Sequence, residues 1–188
     1  MFQIEKAVIT EIDQIMAIEH DCFDIGIIEN KQVFLERIQT FPQGFLVVKN
    51  PKDQKVIAYI SSEIWHEKPL PLYTMNEFKL GHSIKSSHHL NGSEIYIASM
   101  GVLKSERGKG LGDLLFKTLL STLKQSYPNL FSAILIVSTD WPHAQKIYQK
   151  NGFQEIGRLD AFFNPRLDLF FDAIIMRKIL NHVPHQTP

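Results

Sequence analysis

Residues 94–125 constrain this chain more than any other stretch. EIYIASMGV (94–102) is dense in β-branched and apolar residues and predicts a strand. From about 110 to 125, Leu111, Leu115, Leu119 and Leu123 recur every four residues, with Phe116 and Leu120 beside them, which predicts an amphipathic helix. Between the two lies Arg107-Gly108-Lys109-Gly110-Leu111-Gly112. Glycines allow positive φ and let a backbone approach a ligand closely. The first turn of a helix carries unpaired N–H groups and the positive dipole end. A strand, this turn and a helix therefore predict an anion site suited to phosphate, with charge added by Arg107 and Lys109. Two familiar phosphate loops do not fit. A dinucleotide fingerprint needs glycine where Asp113 stands, and a Walker loop needs Ser or Thr after the lysine, where Gly110 stands. The plain alternative is a tight turn with solvated charges.

The chain has 188 residues, a length that favours one domain. Its 44% hydrophobic and 21% charged residues are ordinary for a globular protein and argue against disorder. Twenty basic and twenty acidic residues cancel, so no global field gathers nucleic acid or an anionic membrane. One cysteine, Cys22, excludes an intramolecular disulfide and suits a reducing compartment. The N-terminus has no signal-peptide pattern and no stretch is long enough to span a bilayer, so the expected location is the cytoplasm.

Around the central segment, FQIEKAV (2–8) predicts a first strand. A helix follows with Thr10 as N-cap and Asp13 in its first turn. A second helix is expected over about 30–40. GFLVVKN and KVIAYISSEIW predict a β-hairpin. Residues 66–93 are irregular, and a connection this long is often functional. FSAILIVS (131–138) reads as a buried strand. Residues 141–150 read as a short helix with Pro142 near N1, ended by Asn151-Gly152. FQEIGRLDAFF and LDLFFDAIIMRKIL predict two closing strands about a turn at Asn164-Pro165. The expected order is β-α-α-β-β-β-α-β-α-β-β: an α/β (α+β) domain over 1–180, with a mixed sheet and helices on both faces, and a frayed polar tail over 181–188.

The glycine turn resembles that of the GCN5-related N-acetyltransferase (GNAT) superfamily, Gln/Arg-x-x-Gly-x-Gly/Ala, matched by Arg107, Gly110 and Gly112. A second stretch, Ala144 to Phe153, is similar to the family's Ala-x-x-x-Tyr-x-x-x-Gly-Phe segment, with Tyr148 and Gly152 in register. The resemblance covers about residues 2–180. It implies a single-domain, mostly antiparallel seven-stranded fold that uses acetyl-CoA and no metal. It implies that Arg107, Gly108, Lys109, Gly110, Leu111, Gly112 and Asp113 hold the coenzyme pyrophosphate. Met100, Gly101 and Val102 would bind the pantetheine arm through their main chain, with Ala144 alongside. Tyr148 would act as acid toward the coenzyme sulfur. Many members have Asn three residues before the alanine. Trp141 stands there, and Asp140 is expected to supply the helix cap instead; Trp141 packs either on the coenzyme or on the sheet.

Acetyl transfer needs a neutral amine, and a lysine-like amine is neutral only about once in ~2,500 molecules at pH 7, a cost of ~4.6 kcal/mol. A base is therefore expected. Glu94 lies thirteen residues before Arg107, a spacing similar to that of the base in the histone-acetylating branch. Glu63, His88 and His89 are further candidates. The sequence also resembles the arylalkylamine N-acetyltransferase branch. The positions of that branch's two relay histidines hold Tyr96 and Ala98. A metal site from His82, His88 and His89 lacks a carboxylate or cysteine at ligand spacing. The resemblance places the amine acceptor between Phe23–Ile28 and Phe162–Phe171. The phenylalanine pairs of the late hairpin serve an apolar pocket, a homodimer interface or hairpin packing. The acceptor expected from these features is a small primary amine, with a protein N-terminus or lysine as the main rival and a non-catalytic acyl-CoA sensor as another.

Overall fold

The structure, a computed structural model, describes residues 2–69 and 73–180. The expected tail over 181–188 lies outside the described residues. Seven strands form one sheet: β1 (Gln3–Lys6), β2 (Phe45–Lys49), β3 (Val56–Trp65), β4 (Glu94–Val102), β5 (Ser132–Ser138), β6 (Gln154–Arg166) and β7 (Leu169–Ile179). Their spatial order is β1-β2-β3-β4-β5-β7-β6. Every neighbouring pair is antiparallel except β4 and β5, which are parallel. A parallel pair needs a crossover, and α4 (Leu111–Ser126) supplies it.

The leucine stripe of α4 packs with Leu46, Val48, Ile57 and Ile95 into the larger core. On the opposite face α1 (Ile12–Cys22) and α2 (Lys31–Thr40) bury Ile15, Ile18 and Phe34 against Phe45, Val47 and Tyr59. Alternate strand residues thus serve two cores, as the two-residue side-chain period requires. The connection 66–93, with its one-turn α3 (Ile84–Ser87), lays Tyr73 and Phe78 on Trp65 and Tyr96. A fifth helix, α5 (Pro142–Lys150), follows β5.

Two expectations fail locally. Thr10 is not a helix cap: it lies in a 3-10 turn, Ile9–Glu11, where the Glu11 carboxylate accepts from the Val8 N–H at 3.0 Å. Nor does the closing turn fall at Asn164-Pro165. Both residues belong to β6, an edge strand that tolerates the missing donor of proline. The chain reverses at Leu167-Asp168, with Asp168 at φ 60°.

Candidate active site

β4 and β5 pair only from Glu94 with Ser132 to Ile97 with Leu135. Both strands then continue without pairing to each other, so they splay at their C-terminal ends. Open sheets with parallel strands bind ligands at such a crevice. A groove of about 610 Å³ opens there, lined by Ile97–Val102, the glycine turn, β5 and α5. The register of β3 with β4 slips between Ser61 and Ser62, which leaves Ala98 as an extra residue in β4. This bulge breaks the alternation. Ile95 and Ile97 face the α4 core, and so do Met100 and Val102. Ser99 and Gly101 are turned toward α1. A Cβ on Gly101 would lie 2.8 Å from the Tyr59 ring and 3.0 Å from Ile18, so glycine lets α1 close on the strand.

The turn is built by conformation rather than crowding. Gly108 and Gly110 have φ of 80° and 76°, and a Cβ on either would meet nothing within 4 Å. Gly110 begins α4 without a side-chain cap, so the first-turn N–H groups face the groove mouth unclaimed by a capping side chain. Arg107 donates to the Val102 carbonyl at 3.3 Å, and Asp113 ties α4 to α5 by accepting from Asn151 at 2.9 Å. Met100, Gly101, Val102, Arg107, Gly108, Gly110, Leu111, Gly112, Asp113, Ala144 and Tyr148 all line the groove. Lys109 does not. It is exposed and paired with Glu106 at 2.8 Å.

The open cradle and the unpaired edge of β4 fit an extended, phosphate-bearing ligand. The glycine turn would hold its pyrophosphate and the edge of β4 its amide-rich arm, and the thioester it carries supplies the acyl group. Tyr148 reaches the groove from α5, its ring packed at 5.9 Å from that of Phe116. Burial pushes its phenol up to about 12. It therefore stays a donor throughout the neutral range.

A second cavity of about 310 Å³ lies beside the groove, between the α1–α2 connection and the late hairpin. Cys22, Phe23, Ile27, Asp140, Trp141 and Phe163 line both. Trp141 sits between the rings of Phe23 at 5.5 Å and Phe163 at 5.1 Å, at the junction of the two spaces. Asp140 does not cap α5: the N-cap position is Trp141, and no side chain caps the helix. Its N–H donates to the Ser138 hydroxyl at 3.2 Å, while its carboxylate is exposed at the same junction.

Glu94 is not brought to the groove. It stands at the paired end of β4, fully buried, and accepts from Ser132 and Arg177 at 2.7 and 2.8 Å and from Tyr73. Burial pushes its carboxyl up, and these donors oppose the shift. Sequence spacing places it on the right strand, but at the wrong end. Glu63 is equally enclosed, bonded to Trp65, His82 and Ser87. His88 accepts from the Ile64 N–H at 3.0 Å and packs on Phe41; His89 stacks on His66. Among the described residues no group of His, Cys, Asp or Glu could hold a metal ion.

Two buried carboxylates near the groove escaped the sequence reading. Glu29 lines it and is gripped by Arg37 at 2.6 and 2.8 Å and by the Gly81 N–H at 2.7 Å. Glu19, on α1, accepts from the Tyr59 hydroxyl, which also meets the Ser99 hydroxyl at 2.8 Å. A signal for Glu19 existed: it continues the apolar stripe of Ile12 and Ile15.

A splayed parallel pair, a glycine cradle at a helix start and a half-buried phenol beside it fit an acyl-CoA-dependent transferase. The acetyltransferase (GNAT) family profile matches residues 12–153, and the chain belongs to that family, whose members take acetyl groups from acetyl-CoA. No curated protein matches the sequence. Among solved structures, the loading GNATL domain of CurA from Lyngbya majuscula superposes with a TM-score of 0.79 at 14% identity, over 95% of this chain and 98% of that one. The GphF GNAT-like decarboxylase in complex with isobutyryl-CoA gives 0.75 at 16% identity, over 95% and 100%. A ribosomal-protein-alanine N-acetyltransferase from Escherichia coli gives 0.71 at 17%, over 100% and 99%. These likenesses are of fold.

Proposed function

We propose that the chain moves the acetyl group of acetyl-CoA to the primary amine of a small molecule, by direct attack in a ternary complex. The observation that carries this reading is the second cavity. It meets the coenzyme groove at Trp141 and Asp140, and its volume of about 310 Å³ suits a small molecule. The rings of Phe23, Trp141 and Phe163 would hold an apolar body, and the Asp140 carboxylate would attract the ammonium. The turn Arg107–Gly112 binds the pyrophosphate. Main-chain groups of Met100, Gly101 and Val102 hold the arm, and Tyr148 donates to the departing sulfur. The lone thiol Cys22 fits a reducing compartment, the cytoplasm. No described helix is long and apolar enough to cross a membrane.

One feature favours a peptide amine instead. The two segments that flank the second cavity, the α1–α2 connection and the late hairpin, expose apolar side chains, with Ile25 77%, Phe170 54% and Leu167 90% accessible. Thiol release from acetyl-CoA, followed across small amines and short peptides, separates the readings. Turnover of small amines is expected, with Asp140→Asn raising KM about 2–5-fold at unchanged kcat, the worth of an exposed ion pair. Turnover confined to peptides overturns the small-molecule reading. Tight acetyl-CoA binding with no turnover of any amine points to a sensor.

A further inference from the structure

Asp140 and His143 line the groove but are exposed to solvent, and an enclosed group to take the amine proton must be sought deeper. Glu29 is unsuited, since its two oxygens already accept three hydrogen bonds from Arg37 and Gly81. Glu94 and Glu63 are sealed in other networks. Ser99 lines the groove, half-buried, and the bulge at Ala98 turns its side chain toward Tyr59 and α1. Behind it stands Tyr59, fully buried, and behind Tyr59 stands Glu19, 1% exposed. A tyrosine has one O–H to give. With Glu19 ionised, the Tyr59 proton points at that carboxylate, so the 2.8 Å contact with Ser99 must be donated by serine. The Ser99 oxygen then keeps its lone pairs to accept with.

We propose that Ser99, Tyr59 and Glu19 form a proton relay that carries the acceptor amine's proton out of the groove. The inference rests on acetyl transfer to an amine, small or peptidic. As the nitrogen bonds to the thioester carbon, its N–H passes to Ser99 Oγ. The Ser99 proton moves to Tyr59, and the Tyr59 proton moves to Glu19. The C–S bond breaks and the sulfur is protonated from Tyr148. The products are the amide, the free thiol, a proton held on Glu19 and a phenolate at Tyr148; once the groove empties and water enters, the Glu19 proton leaves along the relay and Tyr148 takes one up, which restores both groups. Ser99 is the catalytic residue of the set, and Tyr59 and Glu19 act through it. The groups facing Glu19 are Tyr59 from β3, the Glu29 N–H at 3.4 Å and the Glu29 and Arg37 charges from the α1–α2 connection and α2. Burial is the largest influence and lifts the carboxyl to about 7, well placed for a base at neutral pH.

The test is the pH profile of kcat/KM on whichever amine releases thiol. The wild type should show an ascending limb near 7. Tyr59→Phe, Glu19→Gln and Ser99→Ala should each lower the rate at pH 7 by roughly 10²–10⁴-fold, abolish that limb and converge on the wild type at high pH, where neutral amine is abundant. Acetyl-CoA affinity should stay within about 2-fold. A merely structural role would lower the rate evenly across pH. Should the two buried variants fail to fold, Ser99→Ala decides alone, because its side chain reaches the groove. An intact limb near 7 in Ser99→Ala overturns the relay while leaving the acceptor reading standing. Thiol release with peptides but not small amines overturns the acceptor reading and leaves the relay to be read on the peptide. No release with any amine overturns both.

Discussion

At position 148 a phenol reaches the groove while its ring packs on Phe116 and Phe153. Tyr148→Phe keeps that packing and removes only the hydroxyl. The expected result is a fall in kcat of roughly 10²-fold or more, with acetyl-CoA affinity and melting temperature nearly unchanged. Full activity under conditions where chemistry limits the rate would return Tyr148 to a packing role. Gly112 tests the cradle more cleanly than its neighbours, whose positive φ makes any side chain strained. A Cβ there would meet only Met100 and Val102, at 3.8 Å or more. Gly112→Leu has room for its Cβ, improves helix propensity and places bulk beside Met100 and Val102, which line the groove. Calorimetry should show acetyl-CoA binding weakened tenfold or more, about 1.4 kcal/mol, with no loss of thermal stability. Unchanged affinity would place the coenzyme elsewhere. Both residues were legible in the sequence, because glycine at a strand-to-helix turn and a tyrosine at fixed spacing from Ala144 are local patterns. Glu94 was legible only as a residue of β4. Which end of a strand faces a groove depends on where β4 and β5 part, and no single segment encodes that.

At the scale of elements, the expected strands and helices fall within a residue or two of their observed bounds, because their hydrophobic periods are strong, except that β6 runs three residues further, to Arg166, and the one-turn α3 was not expected. The bulge at Ala98 was not legible, since a one-residue slip leaves no mark in EIYIASMGV and exists only in the pairing with β3. The connection 66–93 was read as irregular, and the structure shows what binds it down. Arg177 of β7 spans from Glu94 to the Lys68 carbonyl at 3.1 Å and the Tyr73 hydroxyl at 3.0 Å. Glu94 is fully buried and the Arg177 side chain 11% exposed, so losing one partner strands the other. Arg177→Met should cost about 3–5 kcal/mol in denaturant unfolding, and adding Glu94→Gln should restore much of it, because the unpaired charge is then gone. The folded double variant should keep its acetyl-transfer rate, since neither side chain lines the groove. A rate collapse in that variant, at native stability, would revive Glu94 as a catalytic group.

Over the whole molecule, buried carboxylates and histidine set how stability varies with pH. Burial raises Glu19 to about 7 from an ordinary 4.5, so between those values the native state holds a proton that the unfolded chain has released. Stability from this group is complete below about 4.5 and is lost as pH rises to 7. The integrated change is about 3 kcal/mol. His82 acts in the same direction. Burial presses its pKa down, but the Glu63 carboxylate at 2.8 Å outweighs that and raises it, so its contribution is present below the ordinary histidine value and lost as pH climbs through the raised one. Burial also raises Glu94. Glu63, lowered by His82, Ser87 and Trp65 against burial, works oppositely and only at acid pH. The melting temperature should accordingly fall between pH 5 and 8. Glu19→Gln cannot ionise and should flatten this slope, melting several degrees above the wild type at pH 8, given roughly 2–4 °C per kcal/mol for a chain of this size. The relay requires the same carboxylate to be charged at neutral pH, where charge is most destabilising. One substitution should therefore make the protein more stable and slower at once, as expected where a strained group serves the reaction. A Glu19→Gln protein no more stable than the wild type at pH 8 would show that this carboxylate is not held in the high-pKa state that the relay uses.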